Sequence, residues 1–382
     1  MFNIIILGLV SLLTDISTEM VYPLLPLFLT SRLGATPAVV GLIEGIAESL
    51  ASILKVFSGY ISDRIGKRKS LAIAGYGSST IGKVVLFLAG SWPWVLVARV
   101  IDRFGKGIRT APRDAIIADS STSETRGRAY GLHRTLDTLG AATGVLLAYY
   151  FMTTYKGDFT KVFLWSIVPA VLGLAMLALV RETARSKAAL AGANGPMRPT
   201  FSWSKLDRRL KAFLIVVFIF ALGNSSNQFL LLRARNIGFS STTILLVYFL
   251  YNIVYSLVSY PAGRLSDRIG RKALLVAGYL AYGLVYLGFA LARAPWHIWA
   301  LFATYGLYIA FTEGVEKALV ADIAPPELKA TTIGLHATLV GAGLLPASLL
   351  AGLLWNVFGP QATFYFGSMM GILAAIGIWV VV

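Results

Sequence analysis

Cysteine is absent from this 382-residue chain. Its absence excludes a disulfide framework and every thiolate metal site. Histidine is scarce, at three residues, and no H-E-x-x-H pattern or histidine cluster supports a zinc centre. Glu313 and Glu316 offer oxygen ligands, but one pair of carboxylates is weak support for a metal. No G-x-x-x-x-G-K-[ST] sequence exists, so nothing indicates an ATP motor. The stretch GKGIRT, 105–110, has the wrong glycine spacing for one. These absences argue against an enzyme and against any cofactor. Charge is scarce as well. Asp, Glu, Lys and Arg make up 14% of the chain, where soluble domains carry about 25%.

What the chain has instead is apolar length. Hydrophobic residues make up 57% of it, and the mean hydropathy is +0.72. Runs of membrane-spanning length fall near 4–29, 38–62, 70–91, 93–115, 128–152 and 161–180, then near 212–232, 242–263, 273–292, 295–319, 328–354 and 361–382. The first is longer than a signal-peptide core and lacks a basic leader or a clear cleavage site, so it reads as a retained span. The fold class expected is an all-α membrane protein with twelve transmembrane helices. The division expected is a bundle over 1–182, a basic linker over 183–210 and a second bundle over 211–382.

The halves repeat one another. GYISDRIGKRK, 59–69, returns as GRLSDRIGRK, 263–272. DAIIAD, 114–119, matches KALVAD, 317–322, and GLHRTLDTLG, 131–140, matches GLHATLVGAG, 334–343. Such repetition implies two similar bundles related by an axis along the membrane normal.

The net charge of +16 is distributed as a topology signal. With both termini cytoplasmic, 24 basic residues fall on the inner side and six on the outer side, Arg233 among the six. No basic domain interleaved with aromatics exists outside the apolar runs, so nucleic acid is not an expected partner. The expected place is the inner, cytoplasmic membrane, with lipids as surroundings. Nothing in the sequence requires an oligomer, and a monomer is expected.

The repeated loop phrase resembles the signature of the major facilitator superfamily, Gly-x-x-x-Asp-Arg-x-Gly-Arg-(Arg/Lys). Gly59, Asp63, Arg64, Gly66, Lys67 and Arg68 match it, and Gly263, Asp267, Arg268, Gly270, Arg271 and Lys272 match it again. The resemblance covers the whole chain. It implies two pseudo-symmetric six-helix bundles and alternating access. It also implies that Gly59, Asp63, Arg64, Gly66, Gly263, Asp267, Arg268 and Gly270, with Arg103 on the fourth span, belong to a gate rather than a substrate site. The reading without a gate is a basic topology anchor, which explains the Arg and Lys but not the repeated Gly and Asp. The stretch ARVIDRFGKGIRTAPRD, 98–114, looks like the family's proton-coupling motif in outline, with Arg99 at the arginine position. Its extra charges resemble a bacterial and archaeal branch of multidrug or general permeases. In LDTLGAATG, 136–144, the glycine spacing of the drug-antiporter motif is kept, but Ala141 stands where proline is usual. Tight helix packing explains those small residues equally well.

Ionisable residues inside spans mark function by default. Asp15 and Glu19 lie four apart on span one, followed by Tyr22, Pro23 and Pro26, which predict a bent helix. Glu44 and Glu48 share a face of span two, where two acids tend to share one proton. Asp15, Glu19, Glu44, Glu48 and Arg99 are the proton-coupling candidates. Structural pairing with Arg99, or a solvated stripe, is the competing account. Lys83 stands alone on span three, and span five carries His133, Arg134 and Asp137, with His133 echoed by His336. The second half is polar and aromatic instead, with Asn224 and Asn227 on span seven, Tyr251 and Asn252 on span eight, and Tyr308 and Glu313 on span ten. Tyr22, Lys83, Asp137, Asn224, Asn227, Tyr251, Asn252, Tyr308 and Glu313 are therefore the substrate-binding candidates. Interface anchoring and helix packing compete as explanations of the tyrosines.

The expected function is proton-coupled efflux of amphipathic or cationic organic compounds, with a small molecule and protons as partners. The alternatives are transport of a specific polar or anionic metabolite, the anion held at Arg99, Lys83 and Lys55, or a lipid-type flippase. A sensor or scaffold is disfavoured by the intact loop motifs and buried charges. A channel is disfavoured because no re-entrant filter sequence appears.

Overall fold

The computed structural model describes residues 2–65, 68–122, 125–181, 206–324 and 329–381. Gly66 and Lys67 of the first loop phrase, and most of the expected linker, lie outside these residues. The described residues form fourteen α-helices. They are α1 (Phe2–Val21), α2 (Leu25–Ser31), α3 (Pro37–Ile65), α4 (Arg68–Phe87), α5 (Trp92–Asp119), α6 (Arg126–Thr154) and α7 (Phe159–Leu177). After the linker come α8 (Arg208–Gly223), α9 (Gln228–Asn236), α10 (Ser241–Ile269), α11 (Arg271–Leu291), α12 (Pro295–Ile323), α13 (Lys329–Phe358) and α14 (Pro360–Val381).

Each of the twelve expected spans coincides with one helical rod. The first is α1 and α2, joined by a 3₁₀ turn at Tyr22–Leu24, where Pro23 tightens the chain. The seventh is α8 and α9, interrupted at residues 224–227, a break the sequence did not announce. Among the described residues, nine rods are long and apolar enough to cross a membrane by length and composition alone. The other three, α3, α5 and α6, reach 28 or 29 residues. Charged residues within each, such as Glu44 and Glu48 of α3, Arg99 of α5 and Arg134 of α6, lower their apolarity.

Local chemistry sets the helix ends. Asp158 caps α7 by accepting from the Thr160 N–H at 2.9 Å and Ser240 caps α10 by accepting from the Thr243 N–H at 3.1 Å. Gly270 joins α10 to α11 with φ +91°, a conformation that favours glycine. That requirement accounts for the last glycine of the repeated phrase in its second copy.

The chain divides into two compact units. Unit 1 is 1–28 with 50–197, and unit 2 is 29–49 with 198–382. In unit 1, α1 packs on α6 and α7, and α4 on α5 and α7. In unit 2, α8 packs on α13 and α14, and α11 on α12 and α14. The pairings correspond one to one, so the sequence repeat is also a repeat of packing. The first part of α3 belongs to unit 2. There the Ser49 hydroxyl donates to Gly341 O at 2.8 Å and accepts from Leu345 N–H at 3.0 Å. It thus enters the i to i−4 ladder of α13 one residue before Pro346.

Candidate functional site

In unit 1 the site begins with how closely α1 and α6 approach. A Cβ at Gly140 would meet Leu12 O at 2.5 Å, and one at Gly144 would meet Ile16 O at 2.6 Å. Only glycine permits this contact, and it seats Asp15 and Glu19 beside α6. Asp15 is half-buried, and it interacts electrostatically with Asp137 of α6 and Glu19, and with Arg109 and Lys106 of α5. Asp137 lies 3.6 Å from His133 Nδ1. Its other carboxylate oxygen has no hydrogen-bond partner among the described residues.

Helix α5 supplies the opposite charge. Arg99, Arg103, Lys106, Arg109 and Arg113 recur every three or four residues, which lines them along one face, with Asp102 beside Arg103. Arg99, Asp102, Arg103 and Arg109 are buried. Asp102 ties them together, 3.5 Å from Arg99 and 3.8 Å from Arg103. Lys83 of α4 is buried against the same carboxylate and donates to Thr18 Oγ1 of α1 at 3.2 Å. Arg109 donates to Ser79 Oγ at 2.6 Å and lies over the Tyr76 ring at 4.5 Å. Arg99 lies over the Tyr22 ring at 5.8 Å. Asp15, Glu19, Tyr22, Lys83, Arg99, Arg103 and Asp137 thus all belong to unit 1. Glu44 and Glu48 stand on residues of α3 that pack in unit 2, Glu44 buried and Glu48 half-buried. The structure does not gather the five coupling candidates within a single unit.

The loop phrases occupy helix ends. Gly59, Asp63 and Arg64 lie in the last turns of α3, and Gly263, Asp267 and Arg268 in those of α10. Asp267 and Arg268 are exposed, and a Cβ at Gly263 would meet only open space. The partner of the phrase's basic tail is the second repeated phrase. Arg68 pairs with Asp119, the last residue of DAIIAD. Arg271 pairs with Asp322, the last residue of KALVAD, at 2.7 Å. Each pair ties the start of one helix to the end of the next.

In unit 2 the break between α8 and α9 is lined by aromatic hydroxyls. Tyr282 donates to Gly223 O at 3.0 Å, where the α8 carbonyls lose their partners. Tyr305 donates to Asn227 Oδ1 at 2.7 Å, and the Asn224 amide donates to Tyr308 Oη at 3.4 Å. Gln228, fully buried, has neither amide atom hydrogen-bonded among the described residues. Rings continue outward from the break. The Tyr282 and Tyr308 centroids are 4.9 Å apart, and those of Tyr251 and Tyr305 are 5.5 Å apart. Asn252 is taken by its own helix, donating to Tyr248 O at 2.9 Å. Glu313 is exposed and accepts from Tyr255 at 2.6 Å.

The sequence reading missed Tyr279, Tyr282 and Tyr286 on α11, although their spacing of three and four carried the signal. It also misplaced the role of Arg233, counted among the outer loop charges. That residue is buried, and its guanidinium donates to Phe289 O, Ala290 O and Ala292 O at 2.9, 3.2 and 2.9 Å. It satisfies the terminal carbonyls of α11.

The family model described as Major Facilitator Superfamily matches residues 7–233 and 212–382. The chain belongs to the Major Facilitator Superfamily. Its relatives include an uncharacterised MFS-type transporter of Methanocaldococcus jannaschii, 38% identical over 380 residues, covering 98% of this chain and 93% of that protein. The multidrug resistance protein MdtH of Citrobacter koseri is 23% identical over 317 residues, covering 82% of this chain and 77% of that one. Among solved structures, a D-xylose–proton symporter superposes with a TM-score of 0.79 at 18% identity, covering 100% of this chain and 98% of that chain. The fold is therefore the all-α major facilitator fold of two pseudo-symmetric six-helix bundles. The protein is a multi-pass membrane transporter of small molecules.

Proposed function

We propose that the chain is a proton-coupled secondary active transporter that exports amphipathic or cationic organic compounds by alternating access. The observation that carries the reading is the acid group of unit 1. Asp15 interacts with Glu19 and Asp137 on one side and with Arg109 and Lys106 on the other. Acids so close together in a low-dielectric site do not all stay ionised, and basic neighbours compete for those that do. A proton arriving at such a group changes which α5 base it holds. Arg99, over Tyr22 at the bend of the first rod, couples that change to the shape of the helix. Glu44 and Glu48 are the second pair of proton acceptors. The polar break and tyrosines of unit 2 form the substrate wall, with Asn224, Asn227, Tyr251 and Tyr308 foremost. The multidrug relative supports export, at the distance its identity implies.

A gate role for Asp63, Arg64, Asp267 and Arg268 accompanies this reading, with Gly59, Gly66, Gly263, Gly270 and Arg103 as its hinges and partner. So do a monomer in the cytoplasmic membrane, both termini inside, and repeats at 1–182 and 211–382 joined by 183–210. A second reading, transport of a polar or anionic metabolite, is favoured by one observation: Lys83, Arg99, Arg103 and Arg109 all act on the single carboxylate of Asp102.

Purified protein in proteoliposomes, given a pH gradient and a panel of cationic, neutral and anionic compounds, separates the readings. Accumulation of cations against their gradient, with counter-movement of protons, supports export. Accumulation of anions alone selects the second reading. No pH-dependent flux of any compound overturns both.

A further inference from the structure

We infer that unit 2 carries a proton-binding site of its own, made of Tyr279, Glu316 and His336. It goes beyond the coupling acids of unit 1 and uses none of them. The three residues come from three helices. Tyr279 of α11 donates its hydroxyl to Glu316 Oε1 of α12 at 2.8 Å. His336 of α13 brings Nε2 to 3.3 Å from Glu316 Oε2. Phe213 of α8 stacks on the imidazole, with centroids 6.3 Å apart and planes at 9°. The His336 and Glu316 side chains are 5% and 13% exposed, so a charge here is held by the protein rather than by water.

The pair is unfinished as it stands. His336 Nε2 is buried and makes no hydrogen bond among the described residues, although it faces a carboxylate oxygen. A proton taken from water by that nitrogen makes it a cationic donor. The contact then becomes a charge-assisted hydrogen bond, which is shorter and stronger than a neutral one. Glu316, whose other oxygen Tyr279 already holds, stays in place to receive it. This is a histidine–carboxylate arrangement that closes on protonation.

The repeat shows that this set of three residues is not copied in unit 1. At an offset of 203, Tyr279 corresponds to Tyr76, His336 to His133, and Glu316 to Arg113. The tyrosine and histidine are the same in both halves, but an arginine stands at the position of Glu316 in unit 1, where the carboxylate beside His133 is Asp137 of its own helix, at 3.6 Å. In unit 1 a guanidinium acts on both Tyr76 and His133. The carboxylate that meets the imidazole thus comes from the same helix in unit 1 and from a neighbouring helix in unit 2.

Other ionisable groups around the site are accounted for. Tyr308 of α12 interacts with Glu316 as a neutral hydroxyl. Glu313 and Lys317 of α12 pair with each other at 3.5 Å on its exposed side, and Tyr255 of α10 donates to Glu313. At the start of α11, Arg271 is held by Asp322, and Lys272 lies over the Trp379 ring at 5.2 Å. Arg208, Arg209 and Lys211 lie before Phe213 on α8, the first two exposed and Lys211 half-buried. Helix α14 contributes no charged side chain.

Nuclear magnetic resonance of the full-length protein, with nitrogen-15 in its histidines, tests this without substrate or flux. Three histidines give three signals, and single substitutions assign them. The His336 signal is expected to respond to pH. Its midpoint is expected to move by on the order of one pH unit in Glu316→Gln, by less in Tyr279→Phe, and not at all in Asp15→Asn. A His336 signal that does not titrate, or a midpoint unmoved by Glu316→Gln, overturns the site. Should Glu316→Gln not fold, Glu316→Asp and Tyr279→Phe read the same midpoint, and no movement in either overturns it as well. A protein lacking pH-driven flux but showing the coupled titration would refute the transport reading and leave this site standing.

Discussion

Arg271 and Asp322 are joined at 2.7 Å across the start of α11 and the end of α12. Arg68 and Asp119 form the same pair at the equivalent ends of α4 and α5. The two repeated phrases of the sequence are therefore two sides of one repeated ion pair. The Arg271 and Asp322 side chains are 26% and 54% exposed. An ion pair that exposed adds at most about 1 kcal/mol to stability, so the prediction for it concerns turnover rather than stability. Asp322→Asn is expected to slow turnover several-fold while leaving the thermal midpoint almost unchanged. Exchanging the partners in Arg271→Asp with Asp322→Arg is expected to restore much of the rate. Turnover unaffected by either change would leave the pair without a role.

Arg233 has the opposite balance. Its guanidinium is buried and is the cap of α11. Arg233→Leu leaves three carbonyls unsatisfied, at a cost of roughly 3 kcal/mol or more. Thermal unfolding in detergent checks this, and a clear fall in midpoint is expected. Arg233→Lys is expected to recover only part of the loss, because one ammonium does not match the planar fork.

Packing of α6 on α1 makes a third prediction. A methyl group at Gly144 meets Ile16 O at 2.6 Å and Glu19 Cβ at 3.0 Å. Gly144→Ala is expected to destabilise by about 1–3 kcal/mol and to lower pH-driven transport, since it displaces α1 beside Glu19. Gly131→Ala is the control, because a Cβ there meets only open space. Equal effects of the two substitutions on the unfolding midpoint would contradict the packing argument.

The hydrogen-bonded break in unit 2 gives a fourth. Tyr305→Phe removes the donor to Asn227 at 2.7 Å and leaves the ring in place. It is expected to raise KM several-fold with a smaller change in kcat. An unchanged KM would separate Asn227 from the substrate.

Much of this architecture was legible in the sequence because membrane helices announce themselves by apolar length. Spans such as 273–292 fall within two residues of their helices. The 3₁₀ interruption at Tyr22–Leu24 was legible too, since Pro23 removes a backbone donor. The break at 224–227 was not, because its Asn and Ser residues also fit a polar helix face, and the groups that satisfy the opening, the tyrosines of α11 and α12 and Ser348 of α13, come from other helices. Asp102 was legible only as one of the extra charges of 98–114. Its burial among Lys83, Arg99, Arg103 and Arg109 depends on helix packing that no local pattern encodes. The same holds for Glu316, whose partners come from helices before and after it.

The central claim is that proton coupling runs through Asp15 and Glu19 in unit 1. The most direct measurement is transport by Asp15→Asn and Glu19→Gln proteins in proteoliposomes, with proton movement and substrate flux recorded together. Substrate exchange down its own gradient should continue, because these variants keep the size of the side chains. At least one of them should lose accumulation driven by a pH gradient, and with it the proton movement. Accumulation at the unmodified level in both, with proton movement intact, would contradict the account.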